Sequence, residues 1–200
     1  MDRSHDVRDP QLRSGVDGAD RPPGRRAQDQ VLGRRDSSIG ILSIDYNDKN
    51  RDNLRALYLQ AKDQRVGYLP DSSAVAYDKA NVRDGHYPLW GYVHFFTPLQ
   101  GDGNPAPQAS AVVLKFRVER IDQSLVDDII AASLVPQCAM KVARTTEMGD
   151  FMTRSGFSCG CYFEAKTHGA GLANCKTCNS AADCTDSTHP ACNYGYCETR

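Results

Sequence analysis

Cysteine is the residue type in this 200-residue chain with the most chemistry to offer, and seven of the eight cysteines lie between Cys159 and Cys197. Cys159-x-Cys161 is followed by Cys175-x-x-Cys178, then by Cys184, Cys192 and Cys197, with Cys138 alone upstream. A C-x-C and a C-x-x-C separated by thirteen residues come close to the ligand spacing of a zinc site. The three further cysteines, set among Asn, Thr, Asp and Gly, fit better with a small knot of disulfides. Each bridge would contribute roughly 3 kcal/mol by restricting the unfolded chain. Disulfides are therefore the favoured reading for Cys138, Cys159, Cys161, Cys175, Cys178, Cys184, Cys192 and Cys197, and a cytosolic zinc-binding protein is the alternative. Eight cysteines allow on the order of a hundred pairings, so connectivity stays open. A thioredoxin-like role for Cys175 and Cys178 would need a helix N-terminus to lower a thiol pKa, and the local sequence offers none.

The five histidines give no catalytic or metal-binding pattern. His86 and His94 would share a face of a straight strand but lie roughly 26 Å apart, too far for one metal ion. His5, His168 and His189 fall in segments rich in charge, Gly or Pro. Ser37 and Ser38, just ahead of an apolar run, are the candidate ligand-binding hydroxyls. The chain holds no G-x-S-x-G, P-loop, dinucleotide fingerprint or H-E-x-x-H motif. The expectation is a protein that is not an enzyme, with no catalytic residue, no bound metal and no cofactor.

These residues need a scaffold, and its centre is expected at Asp84 to Phe96, which holds the only Trp, two of the nine Tyr and two of the six Phe. From Tyr87 onward apolar side chains fall on both alternating faces, which predicts a strand covered on both sides. A buried strand is predicted over Ser38 to Tyr46, and a second over Leu54 to Gln60 with a turn of helix not excluded. Asp71 and the serines after it predict the cap of a short helix over Ala74 to Val82, with Gly85 at its stop. Thr97 to Ala109, with three prolines around Gly101-Asp102-Gly103-Asn104, reads as a surface loop. Ser110 to Glu119 fits strand and helix alike. The clearest helix is Asp122 to Leu134, with Leu125, Val126, Ile129 and Ile130 on one face and Pro136 beyond its end. The 26 residues from Cys175 onward have almost no aliphatic side chains and must be held by cross-links or metal.

Composition limits the partners. A formal net charge of -1 provides no general field for nucleic acid or an anionic membrane, and no apolar run is long enough to span a bilayer. The first 36 residues carry eight Arg and seven Asp but no Lys and no aromatic residue, and are expected to be a disordered arm. The interleaved aspartates argue against a nucleic-acid-binding role. That composition also fits an alternate reading frame of a GC-rich gene, so a misplaced start or a frameshift would account for it and for the missing signal peptide.

Three segments together carry a resemblance: Ser38 to Asn50, Leu54 to Leu59, and Arg83 to Phe96 with its Tyr87-Pro88-Leu89 run. They resemble the C-terminal part of the phosphate-type periplasmic solute-binding proteins of ABC transporters, over about Ser38 to Pro136. The resemblance implies a helix over Ser110 to Val135 and makes Ile39, Gly40, Tyr87 and Pro88 scaffold residues. That family holds its oxyanion with hydroxyls and helix N-termini, in segments with no counterpart before Ser38. The close from Cys192 to Glu198 is similar to the Cys-rich endings of exported myxobacterial proteins.

The expected fold class is α/β, a partial periplasmic-binding-protein-like lobe followed by a small disulfide-rich tail. Its parts would be a disordered arm (1–36), the lobe (37–144), a linker with a Cys pair (145–174) and the tail (175–200). The implied function is non-catalytic, extracytoplasmic capture of a small oxyanion such as phosphate for ABC transport, left incomplete in this chain. The implied partner is an ABC transporter or a cell-surface protein, with neither nucleic acid nor a membrane span involved. A secreted or surface interaction protein acting through its Cys-rich tail is the alternative outside the cytoplasm.

Overall fold

Arg83 is fully buried although it closes a helix of only four residues, and the contacts that bury it come from the far half of the chain. The computed structural model describes residues 39–117 and 120–199. Residues 1–36, read from sequence as a disordered arm, and the candidate site residues Ser37 and Ser38 lie outside that range. The chain divides into two units, Met1–Ile41 and Leu42–Arg200.

The second unit is mixed, with short helices and two small antiparallel ladders. In order come α1 (Ile44–Lys49), α2 (Ala80–Arg83), α3 (Pro107–Arg117), α4 (Gln123–Ala131), β1 (Val142–Ala143), β2 (Met152–Thr153), α5 (Gly160–Thr167), β3 (Ala191–Asn193) and β4 (Tyr196–Glu198). β1 pairs with β2 and β3 with β4. The β3–β4 hairpin turns through Tyr194 and Gly195 with φ of 49° and 84°, both positive as a tight two-residue loop requires.

The core gathers around α5. Val126 of α4, Cys138, Ala139, Cys159, Tyr162 and Phe163 are buried together, with Ile121, Ile130, Phe157, Tyr194 and Tyr196 packed against them. Helix α4 matches its sequence pattern, with Asp122 at its N-cap. It stops earlier than Pro136 would require, because Ser133 turns left-handed at φ 60° while its amide bonds back to Ile130. Helix α3 realises the helical reading of Ser110 to Glu119 through Arg117 and starts within the expected loop, at Pro107, where proline suits a first turn. Gly85 follows α2 at φ 87°, as expected of a helix stop.

All eight cysteines are bridged: Cys138–Cys159, Cys161–Cys175, Cys178–Cys192 and Cys184–Cys197. The first two bridges flank the start of α5 and seat it in the core. The other two pack against one another as a separate small core, where Cys178, Cys184 and Cys197 are buried. Cys175 and Cys178 belong to different bridges, which ends a C-x-x-C redox reading.

Several strands expected from alternation are absent. The described part of the Ser38 to Tyr46 stretch is irregular until α1 begins at Ile44, and Ile39 and Ile41 are exposed. Helical turning at that point places Asp48 beside Arg51 and Lys79, and the ion pairs outweigh a strand that has no neighbour. Leu54 to Gln60 contributes a single bridge, Leu59 to Tyr68, and Leu57 and Tyr58 are exposed. The helix expected over Ala74 to Val82 shrinks to α2. Asp71 does not cap it, because its carboxylate takes the Lys79 amide, the Lys79 ammonium and Arg51 instead. The stretch from Tyr87 to Phe96 is not a paired strand, and Leu89, Val93, Phe95 and Phe96 are exposed rather than covered. Helix α4 packs on α5.

Candidate functional site

The described residues gather buried charges into several nodes, and the candidate site is sought there. Asp48 and Asp71 each bridge Arg51 and Lys79. Arg51 Nη2 lies 2.6 Å from Asp48 Oδ1 and 2.7 Å from Asp71 Oδ2, and Lys79 Nζ lies 2.8 and 2.9 Å from the same two carboxylates. The guanidinium also stacks 3.8 Å over the Tyr77 ring and donates to Ala76 O. Two anions and two cations alternate in a closed ring, which satisfies each charge and leaves little field outside. Asp78 completes the corner. Burial opposes its charge, but bonds from the Ser72 hydroxyl and the Ser72, Ala80 and Ala170 amides hold its carboxyl below the usual range.

Arg83 is the second node. Its Nε donates to Ala139 O at 2.9 Å, one Nη pairs with Glu164, and its plane lies over the Phe163 ring. Glu164 also accepts from the Gly171 amide. At Gly169 a Cβ would fall 1.8 Å from the Glu164 carboxylate, so that close approach requires glycine. Arg144 is the third node, its guanidinium against both the Trp90 and Phe151 rings, which stack on each other, and donating to Pro88 O and Trp90 O. Sequence reasoning found none of these buried arginines. The only signal was a charged residue set beside large apolar ones, as in Phe163-Glu164.

Glu198 is a fourth buried charge and serves a helix end. Its carboxylate accepts from the Cys161 amide at 2.6 Å, the Tyr162 amide at 3.4 Å and the Ser158 hydroxyl at 3.1 Å. The N-cap residue of α5, Cys159, offers no side-chain cap. Glu198 from β4 therefore satisfies the orphan amides, and an anion there suits the positive helix end. Burial pushes its carboxyl up, and these hydrogen bonds offset only part of that.

An open cleft of about 320 Å³ adjoins the first ring, lined among others by Tyr77, Lys79, Ile130, Phe163, Lys166 and Thr167. Lys166 is raised by the Tyr162 hydroxyl and by Asp127, its partner at 3.1 Å. Both lysines are thus already paired with carboxylates.

Three histidines stand apart, each beside its own acid: His86 with Asp84, His94 with Glu147 and His189 with Asp186. Asp186, Thr188 and His189 form a Thr-His-Asp cluster, but the Thr188 hydroxyl and the Asp186 carboxylate both meet Nδ1 of His189. A relay needs one partner on each ring nitrogen. Asp186 is lowered to about 2, chiefly by the Thr188 amide, as expected of a loop-capping carboxylate.

Among the described residues the sulfurs of Cys178, Cys184 and Cys197 are the one set close enough to hold a metal, within 4.8 Å of one another. Their disulfides account for that proximity and occupy the thiolates a metal would need. Four disulfides fit an oxidising compartment, and no helix among the described residues is long and apolar enough to cross a membrane. The chain was compared with family models, curated proteins and solved structures, and nothing matches it.

Proposed function

We propose that this chain is a non-catalytic, extracytoplasmic binding protein of the phosphate-type solute-binding lineage, in which the described residues supply scaffold rather than ligand contacts. The supporting observation is the complete use of all eight cysteines in four bridges, which fits a life outside the cytoplasm and opposes the zinc reading. A partial lobe of that fold is the finer architectural proposal, resting on the Tyr87-Pro88-Leu89 run and the segments around it. The parent task, capture of a small oxyanion for an ABC transporter, needs an unpaired cation or converging hydroxyls. Arg51, Lys79, Arg83 and Lys166 are instead matched by carboxylates, and buried Arg144, which has no carboxylate partner among the described residues, is turned to Pro88 O and Trp90 O. Titration calorimetry of the oxidised chain with inorganic phosphate should therefore give no saturable heat, and a saturable heat would sink the scaffold reading. Mass spectrometry tests the compartment: free thiols with bound zinc in the native protein would sink the extracytoplasmic one.

A secreted or surface interaction protein is the second reading. What favours it is exposed apolar surface at Val93, Phe95, Phe96, Leu99 and Leu114. That surface lies outside the Cys-rich tail, so a partner would meet the aromatic stretch and α3.

A further inference from the structure

The Cys161–Cys175 bridge belongs to neither of the two cores. Cys138–Cys159 lies in the first, beside Val126 and Phe163, and Cys184–Cys197 lies in the second with Cys178–Cys192 packed against it. Each of those three bridges has at least one buried cysteine, whereas Cys161 and Cys175 are both only half-buried. The loops closed by the four bridges differ too little in length for closure entropy to separate them, so access decides which one a reductant reaches first. The two ends of the exposed bridge are held unequally. Cys161 sits in α5, its amide bonded to Glu198 at 2.6 Å. Cys175 follows a short helical turn, Ala170–Asn174, none of whose residues is buried. Before that turn the Gly169 amide bonds to Glu164 O at 2.9 Å, and after it Lys176 O accepts from the Cys197 amide at 2.8 Å. Between these anchors the bridge and two long hydrogen bonds tie the turn to the residues beneath it. The Ala170 amide lies 3.4 Å from the Asp78 carboxylate and the Gly171 amide 3.2 Å from that of Glu164, and both acids are buried.

We propose that Cys161–Cys175 is a redox latch: a dithiol reductant opens it ahead of the other three bridges, and the opening frees Ala170 to Cys175 as a flap over Asp78 and Glu164. In that step a thiolate of the dithiol attacks one bridge sulfur, and the S–S bond breaks as a mixed disulfide forms. The second sulfur of the dithiol then closes the reductant's own disulfide. Two electrons pass to the bridge, and the two protons of the dithiol finish on the Cys161 and Cys175 thiols. Cys161 stays in place, because Glu198 holds its amide and the Cys138–Cys159 bridge holds the start of α5. Cys175 moves, because the bridge was its covalent tie to α5. With the flap lifted, Asp78 keeps its bonds from Ser72 and Ala80, and Glu164 keeps Arg83. The fold therefore survives the opening, and what changes is the access of water to two acids that the closed flap covers.

Stepwise reduction of the full, oxidised chain with dithiothreitol at neutral pH, quenched with N-ethylmaleimide and mapped by peptide mass spectrometry, tests the order of opening. The expected first product is labelled at Cys161 and Cys175 alone. It should form at a dithiothreitol concentration at least about tenfold below that which opens any other bridge. In that product the Ala170 and Gly171 amides should exchange hydrogen at least about tenfold faster than in the oxidised chain. The amides of Cys159, Phe163, Cys178 and Cys197 should keep their native protection. Cys161→Ser combined with Cys175→Ser should reproduce this exchange pattern with the other three bridges intact, and the reduction of the native chain decides the matter even where that variant does not fold. A different bridge labelled first, or two or more bridges opening together, overturns the proposal. So does unchanged exchange at Ala170 and Gly171 in the singly reduced product, or loss of protection throughout it.

Discussion

Arg83 and Glu164, 81 residues apart in sequence, form a buried ion pair, which is costly to break from one side whatever its net worth. Removing one partner of a buried pair leaves the other desolvated, so Glu164→Ala should lower stability by about 3–5 kcal/mol in urea unfolding. The double variant Arg83→Met with Glu164→Leu should lose less than Glu164→Ala alone, because it buries no unmatched charge. Glu198 gives a prediction in pH. Its folded pKa lies above the ordinary value of 4.5, so the folded state holds the proton more tightly than the unfolded one. Stability from this group is therefore greatest at acidic pH, below the unfolded value, and falls as pH rises through the folded pKa. The melting temperature of the native chain minus that of Glu198→Gln should increase as pH is lowered from about 7 toward about 5. A difference that stays flat would mean that the carboxylate is not held in a desolvated place. None of these partnerships was legible in sequence, because a charge reports its burial only through neighbours that the fold supplies.

Elements divide according to how local their causes are. Helices α3 and α4 satisfy their own backbone bonds, and α4 needs only its apolar stripe to find α5, so periodicity located it. The turn at Gly101 to Asn104 was legible for the same reason, and it appears as a tight reversal with Leu99 bridged to Pro105. Ser133 marks the residual strain of α4, since a left-handed serine sits where glycine is usual. Ser133→Gly should raise stability by about 0.5–1 kcal/mol, seen as an upward shift in the urea midpoint. Strands fail the locality test. Ile39 to Ser43, Leu54 to Gln60 and Tyr87 to Phe96 all have the alternation or β-branching of strands, but a strand exists only where a second one pairs with it. The aromatic stretch lacks the ladder.

At the scale of the molecule, cross-links of short reach hold the part from Cys138 to Cys197, closing loops of 21, 14, 14 and 13 residues. Replacing Cys178 and Cys192 together by Ala should cost about 2–4 kcal/mol in the tail. The same change at Cys138 and Cys159 should cost more, because those side chains also fill space beside Val126 and Phe163. Thermal unfolding of the two variants against the native chain compares the costs directly, and peptide mapping without reductant should recover each of the four pairs. The sequence by itself determined what composition and short spacing can carry. It specified a cysteine-rich end that cross-links or metal must hold, the helix at α4, a turn between apolar segments, and no overall charge to draw in nucleic acid, while Ser110 to Glu119 fitted strand and helix alike. Only the tertiary structure decided which cysteines meet, which carboxylate each buried cation takes, and that the aromatic stretch from Gly91 to Pro98 stays unpaired. Those outcomes depend on which distant residues are brought within a few ångströms, and local periodicity holds no record of that.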